Sequence, residues 1–142
     1  MNKNRSKRSN CPINFALESF GDMWSLLIVR DMLGRHKSTY GEFLASDEKI
    51  STNILADRLS RLEKKGIIEK KPHASDRRKD TYQLTRKGTD LAPMLLEMVL
   101  WSAKYDPNTP VTKEFVERAK KNSPRFVLDK MKGGEGSDFE EK

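Results

Sequence analysis

The sequence predicts a mainly α-helical protein with one small β-hairpin, in the order of parts of a winged helix-turn-helix flanked by N- and C-terminal helices. Three observations predict this. From Ser51 to Lys65, Leu55, Leu59 and Leu62 recur at steps of four and three, the spacing that stacks side chains on one face of an α-helix. Upstream, Tyr40 to Ala45 reads as a short helix joined to it by the polar turn Ser46-Asp47-Glu48-Lys49. Downstream, Ile67 to Pro72 and Asp80 to Leu84 read as antiparallel strands around a turn from His73 to Lys79 that carries Arg77, Arg78 and Lys79 in succession.

Taken in order, residues 1–10 form a basic arm. Ile13 to Phe20 is a short helix with Ile13, Leu17 and Phe20 on one side, broken by Gly21-Asp22. Met23 to Leu33 follows as the scaffold helix of the core, with Trp24, Leu27, Ile28 and Leu33, and Gly34 ends it. In the basic helix Ser51 is an N-cap candidate whose hydroxyl can satisfy a first-turn N–H. Gly66 supplies the left-handed residue expected past its end, and Lys64 and Lys65 complement the negative end of the helix dipole. After the hairpin, one long helix is expected from about Arg86 to Lys104, with a possible kink at Pro93. Its apolar stripe is Leu91, Leu95, Met98 and Trp101, widened by Met94 and Val99. A stripe that wide is either core packing or a subunit interface. Because the compact module already has a core, the interface is favoured, with Ile13, Leu17, Phe20, Leu91, Met94, Leu95, Met98 and Trp101 as the dimerisation set. Residues 11–104 thus form the winged helix-turn-helix domain with its dimerisation helices. Residues 105–132 form a helical extension (Val111 to Asn122, then Pro124 to Met131), and the Gly-rich acidic stretch 133–142 is expected to be a disordered tail.

The polar face of the Ser51–Lys65 helix and the hairpin tip point to duplex DNA. In a helix-turn-helix the second helix enters the major groove. Three consecutive cations at a hairpin tip build a poor core but reach phosphates or a minor groove well. Thr52, Asn53, Asp57 and Arg61 are the candidates for base edges, Asn being suited to adenine and Arg to guanine. Ser51, Arg58 and Lys64 are the candidates for phosphates, together with Arg77, Arg78 and Lys79 in the wing. The 142 residues hold 28 Lys+Arg against 21 Asp+Glu, a net charge of +7, which gives affinity for polyanions as a class without selecting one.

The residues Cys11-Pro12, Leu17, Gly21-x-x-Trp24, Leu26-Leu27-Ile28-x-Arg30, Gly41-Glu42-Phe43, Ile50-Ser51, Leu55, Arg58-Leu59, Leu62-Glu63, Gly66, Leu84-Thr85 and Gly88 resemble the HxlR family of bacterial transcriptional regulators, over roughly Cys11 to Trp101. The resemblance implies a homodimer that binds a pseudo-palindromic operator and represses or activates nearby genes. Two recognition helices about 34 Å apart would then enter successive major grooves. The wing departs from the family pattern: Ser75-Asp76-Arg77-Arg78-Lys79 is closer to the Asp-x-Arg wing of the MarR family, in which the arginine probes the minor groove, making Arg77 or Arg78 the candidate here. Cys11 is the only cysteine, and it lies before the first helix and close to Arg5, Lys7 and Arg8, a setting that favours thiolate. Several HxlR regulators use a cysteine at the matching Cys-Pro position to sense electrophiles or disulfide stress, so Cys11 is the redox-sensor candidate. The alternative is a small, unreactive cysteine packed at the dimer interface.

Other chemistry is not indicated. His36 and His73, far apart and in loops, give no metal spacing with one cysteine, and the glycines after Gly133 follow no strand and so make no phosphate loop. No enzyme activity, cofactor or metal is expected. No apolar run approaches the roughly 18 residues of a membrane span and the N-terminus lacks a signal-peptide core, so the expected location is cytoplasmic. Two other readings keep the fold: a MarR-like regulator controlled by a non-covalent small-molecule effector, and a sequence-independent architectural or protein-interaction module.

Overall fold

The computed structural model describes residues 8–76 and 78–129. It contains α1 (Pro12–Phe20), α2 (Ser25–Leu33), α3 (Tyr40–Leu44), α4 (Thr52–Lys64), β1 (Ile68–Pro72), β2 (Asp80–Leu84), α5 (Arg86–Thr89), α6 (Ala92–Tyr105), α7 (Lys113–Lys121) and α8 (Pro124–Asp129). The expected class is borne out: a helical domain with a single two-stranded antiparallel sheet, in which Ile68 faces Leu84 and Pro72 faces Asp80.

Local chemistry sets the helix ends. Ser51 accepts a hydrogen bond from the Ile54 amide and caps α4. At the other end Gly66 has φ +75°, the Ile67 amide donates to Leu62 O and the Gly66 amide to Glu63 O, a Schellman arrangement that turns the chain into β1. The hairpin returns to this point through Thr85, whose amide donates to Ile67 O at 3.0 Å and whose hydroxyl accepts from the Gly88 amide, capping α5. A Cβ on Gly88 would lie 2.3 Å from Ile67 O, so only glycine permits that approach.

The expected long helix from Arg86 is two helices. Pro93 lacks an N–H and lies in the first turn of α6, where its missing donor costs nothing; the chain therefore restarts at Ala92 instead of kinking. The dimerisation set also divides. Phe20 and Leu95 are each 8% exposed and belong to the protomer's own core, with Leu91 packed against it. Ile13, Leu17, Met94, Met98 and Trp101 remain exposed, at 71%, 52%, 40%, 48% and 67%. A single stripe read from sequence hid two faces of α6, because α8 packs on one of them. Phe115, Ala119, Val127 and Leu128 accordingly join the same buried cluster as Val29, Leu55 and Leu62. On α8 Phe126 is exposed, while Val127 and Leu128 are buried. Met131, the basic arm before Arg8 and the acidic tail lie outside the described residues.

One polar network runs through this core. The Asp31 side chain, 3% exposed, receives the Arg30 guanidinium at 2.8 Å, has Arg35 at 3.8 Å and accepts from the Ser46 hydroxyl. Arg30 reaches on to Glu48 through two bonds of 2.8 Å, and Lys37 Nζ donates to Ser46 Oγ at 2.8 Å. Removing one partner of a buried ion pair leaves its counter-charge uncompensated. Asp31→Ala is expected to destabilise the protein by about 3 kcal/mol, read as a lowered midpoint in urea denaturation followed by circular dichroism.

Candidate nucleic-acid interface

The turn from Ser46 to Lys49 has no apolar side chain of its own, so α2 holds it: Ser46 through Asp31, Glu48 through Arg30. Lys49 takes a positive φ of 58° to complete it. Thr39 and Glu42 form a capping box at the start of α3, and the Tyr40 hydroxyl donates to Thr52 O at 2.8 Å, fixing α3 to the first turn of α4.

On α4, Ser51, Thr52, Asn53, Asp57, Arg61 and Lys64 are all exposed. Leu55, Leu59 and Leu62 are buried on the other side. Ser51 uses its oxygen as a cap acceptor, which leaves its hydroxyl hydrogen to donate. Arg58 departs from this set. Its side chain is only 20% exposed, and Nε donates to Asp22 Oδ1 at 3.1 Å while Nη1 bonds Asp57. Burial works against this guanidinium, but Asp22 and Asp57 outweigh it and raise its pKa above the ordinary value. Arg58, expected on phosphate, is thus a tie between α4 and the segment before α2. Asp57 lies between two arginines, with Arg61 Nη1 at 3.8 Å, so its carboxylate orients cations on the helix face.

Asp22 was missed by sequence reading, which took Gly21-Asp22 only as a break. Its carboxylate accepts from the Trp24 amide at 2.8 Å, the Ser25 amide at 2.9 Å and the Ser25 hydroxyl at 2.6 Å. Burial raises the carboxyl pKa, but these bonds and Arg58 bring it down to about 2. The signal was present as an Asp-x-x-Ser cap before an apolar helix.

The wing is a shaped turn, not a loose one. His73, expected to be a solvated loop residue, is half-buried, and its Nδ1 accepts from the amides of Ser75 at 3.1 Å and Asp76 at 3.2 Å. The His73 amide donates to Lys79 O, closing the turn. Asp76 accepts from the Arg78 amide, which with the Arg78 side chain keeps its carboxyl below the usual range. The Arg78 side chain is 92% exposed and Lys79 is exposed. Arg77 lies outside the described residues. The hairpin is braced to α3: the Tyr82 amide donates to Ser38 O at 2.7 Å, Thr39 bridges Thr81, and the Phe43 and Tyr82 rings meet edge to face at 6.2 Å. Exposed cations therefore flank the polar face of α4 in sequence on the wing side, with Asn53 and Thr52 at its N-terminal end.

The HxlR-like helix-turn-helix family profile matches residues 19–110. The chain belongs to the HxlR-like helix-turn-helix family. The HTH-type transcriptional regulator YodB of Bacillus subtilis is 31% identical over 106 residues, covering 73% of this chain and 94% of that protein. Among solved structures, PA1607, described as a putative transcription factor, superposes with a TM-score of 0.66 at 36% identity, covering 72% of each chain. The redox regulator HypR in its oxidised form superposes with a TM-score of 0.59 at 27% identity, over 66% of this chain and 96% of that one. The chain spans 57% of the length of the mycobacterial regulators that match it. This HxlR-like protein is a transcriptional regulator of that type, and among its described residues no helix is long and apolar enough to cross a membrane.

Two carboxylates hold the turn and α4 in charged form. Asp22 and Glu48 both have folded pKa values of about 2, Glu48 chiefly through its bonds from Arg30, below the ordinary 3.8 and 4.5. Depressed acids contribute stability that is complete above their unfolded pKa and is lost as pH falls through the folded one. Thermal melting from pH 5 to pH 2 is expected to show a falling midpoint below about pH 4.5, with a shallower fall in Glu48→Gln.

Proposed function

We propose that the protein is a homodimeric, sequence-specific binder of duplex DNA whose recognition helix is α4 and whose wing is the hairpin between β1 and β2. The observation that carries this reading is the exposed polar face of α4, tied by the Arg58–Asp22 pair to the segment before α2 and followed in the chain by a hairpin with an exposed basic tip. Thr52, Asn53 and Arg61 read base edges, with Asp57 orienting Arg61. Ser51, Lys64, Arg78 and Lys79 hold phosphates, and Arg77 joins them on the sequence reading alone.

The dimer reading rests on two exposed apolar rows. Met94, Met98, Trp101 and Tyr105 recur at steps of four, three and four along α6, and Ile13 and Leu17 stand four apart on α1. Apolar rows of this length on separate helices are the usual material of a subunit interface. The C-terminal helices α7 and α8 act as a fixed part of the domain that covers the other side of α6.

Cys11 is the proposed thiol switch. It is exposed at the N-cap of α1 and lines a cavity of about 280 Å³ with Asn14, Phe15 and Glu18. Asn14 is buried and its Oδ1 has no hydrogen-bond partner among the described residues, a site for a donor on an incoming molecule. With one cysteine per chain a disulfide joins two subunits: two Cys11 thiols lose two protons and two electrons, which pass to an oxidant such as diamide. The similarity to HypR and YodB supports this reading.

Fluorescence anisotropy with duplexes from the gene's own upstream region tests the assignment. Asn53→Ala is expected to relax discrimination at one base pair by about 1–3 kcal/mol, whereas Arg78→Ala weakens all duplexes alike and lowers the salt slope by about 1. Equal affinity for random and upstream duplexes would replace the operator reading with the architectural one. Diamide is expected to change binding by the wild type and not by Cys11→Ser; a response that persists in Cys11→Ser would remove the thiol switch.

A further inference from the structure

A cleft of about 320 Å³ lies between the end of α2, strand β2, α5 and α8. Met32, Leu33 and Leu84 give it apolar walls, and Tyr82 adds part of its ring. Its remaining character is basic. Among the described residues Arg125, His36 and Lys37 line it and no Asp or Glu does. The Lys37 ammonium is already turned to Ser46, so the exposed guanidinium of Arg125 on α8 is the group placed to meet an anion. The volume lies at the lower end of the range for small-molecule sites, which pair mostly apolar walls with a few polar groups.

From this combination we propose that the cleft binds a small monocarboxylate with an apolar body, its carboxylate on Arg125 and its body against Met32, Leu33 and Leu84. A guanidinium accepts a carboxylate through two parallel N–H bonds, and one such group balances one negative charge. Free phosphate would meet the same cation but leave the apolar walls uncovered.

The site sits on the joint that carries both DNA-contacting parts. Ser38 lines it and accepts from the Tyr82 amide of β2, while the Ser38 amide donates to Glu42 Oε1 in the cap of α3. His36 holds a left-handed φ of 54° at the same joint, a conformation uncommon for a residue with a Cβ. An occupant that touches Ser38 and Tyr82 therefore bears on the wing strand and on the start of the helix-turn-helix together. This regulatory half rests on the DNA-binding reading; the binding site itself does not.

The test is a titration of the full chain with benzoate, followed by calorimetry and by amide NMR shifts, with benzyl alcohol as the uncharged analogue and sodium phosphate as the bare anion. Saturable binding of benzoate is expected, with shifts at Ser38, Tyr82 and Leu84. Benzyl alcohol and phosphate should each bind at least tenfold more weakly. Arg125→Gln should weaken benzoate at least tenfold with an unchanged melting midpoint, since Arg125 is exposed. Absence of saturable benzoate binding, unchanged affinity in Arg125→Gln, or shifts confined to other helices would each overturn the site. A second arm measures DNA affinity with and without saturating benzoate. A change lost in Arg125→Gln supports the regulatory half, and unaltered affinity for DNA overturns it. If the protein bound no DNA while benzoate bound as expected, the DNA reading would fail and the ligand site would stand.

Discussion

A carboxylate buried in the last turn of a helix is costly unless cations and hydroxyls surround it, and Asp31 is surrounded. Buried to 2% exposure, it is held by Arg30 of α2, by Arg35 just after that helix and by Ser46 of the turn between α3 and α4, and those partners offset the cost of its burial. The turn depends on it in return. Ser46-Asp47-Glu48-Lys49 brings no apolar side chain to the core, so hydrophobic packing has no grip on the one segment whose geometry fixes the angle between the two helices. Hydrogen bonds and ion pairs do that work from α2.

The same helix governs α4 from its other end. Asp22 caps the start of α2 with three bonds and gives its remaining valence to Arg58. Helix α4 is therefore tied to α2 and its cap twice, once through the turn that precedes it and once through its own second turn. Buried leucines supply the third tie and most of the apolar stabilisation. The hairpin is fastened by different means, backbone bonds from Thr85 to Ile67 and from Tyr82 to Ser38, which suits a strand pair with only Ile68 buried in β1.

Periodicity made the fold legible. Leu55, Leu59 and Leu62, the Ser51 cap and Gly66 gave α4 to within a residue at each end, and the β2 limits were read correctly because turn residues bound it closely. What periodicity could not supply was which apolar face meets which neighbour. Leu95 looked like an interface position because a stripe does not say that α8 will cover half of it, and Phe20 because the short α1 pattern does not show that its last residue joins the protomer's own core. Arg58 looked like a phosphate ligand because a helical wheel places charge without showing a partner thirty-six residues earlier. His73 was read as free because a ring nitrogen accepting two amides leaves no trace in sequence. In each case the missing information was a long-range contact, or a side-chain acceptor where only a backbone pattern was visible. Arg78 and Lys79 are exposed as the run of cations at the hairpin tip suggested, although the pairing of Arg78 with Asp76 was not read from it.

The division of labour among the arginines has a consequence for how a signal could travel. Arg58 is withdrawn from the surface and Arg61 is tethered by Asp57, so on the proposed DNA-binding reading affinity falls to Lys64 and the wing while discrimination falls to groups whose position depends on the angle of α4. That angle is set in part by Asp22, and a single residue, Gly21, separates Asp22 from the end of α1. The Gly21 amide is itself bonded to Leu17 O at 2.7 Å, so α1 passes its orientation on with little slack. Cys11 lies at the opposite end of that same nine-residue helix. On the proposed thiol-switch and dimer readings, a covalent event at Cys11, or a partner subunit seated on Ile13 and Leu17, acts on a helix whose far end adjoins the carboxylate that holds α4 through Arg58. The route from Cys11 to α4 is then one helix, one glycine and one ion pair.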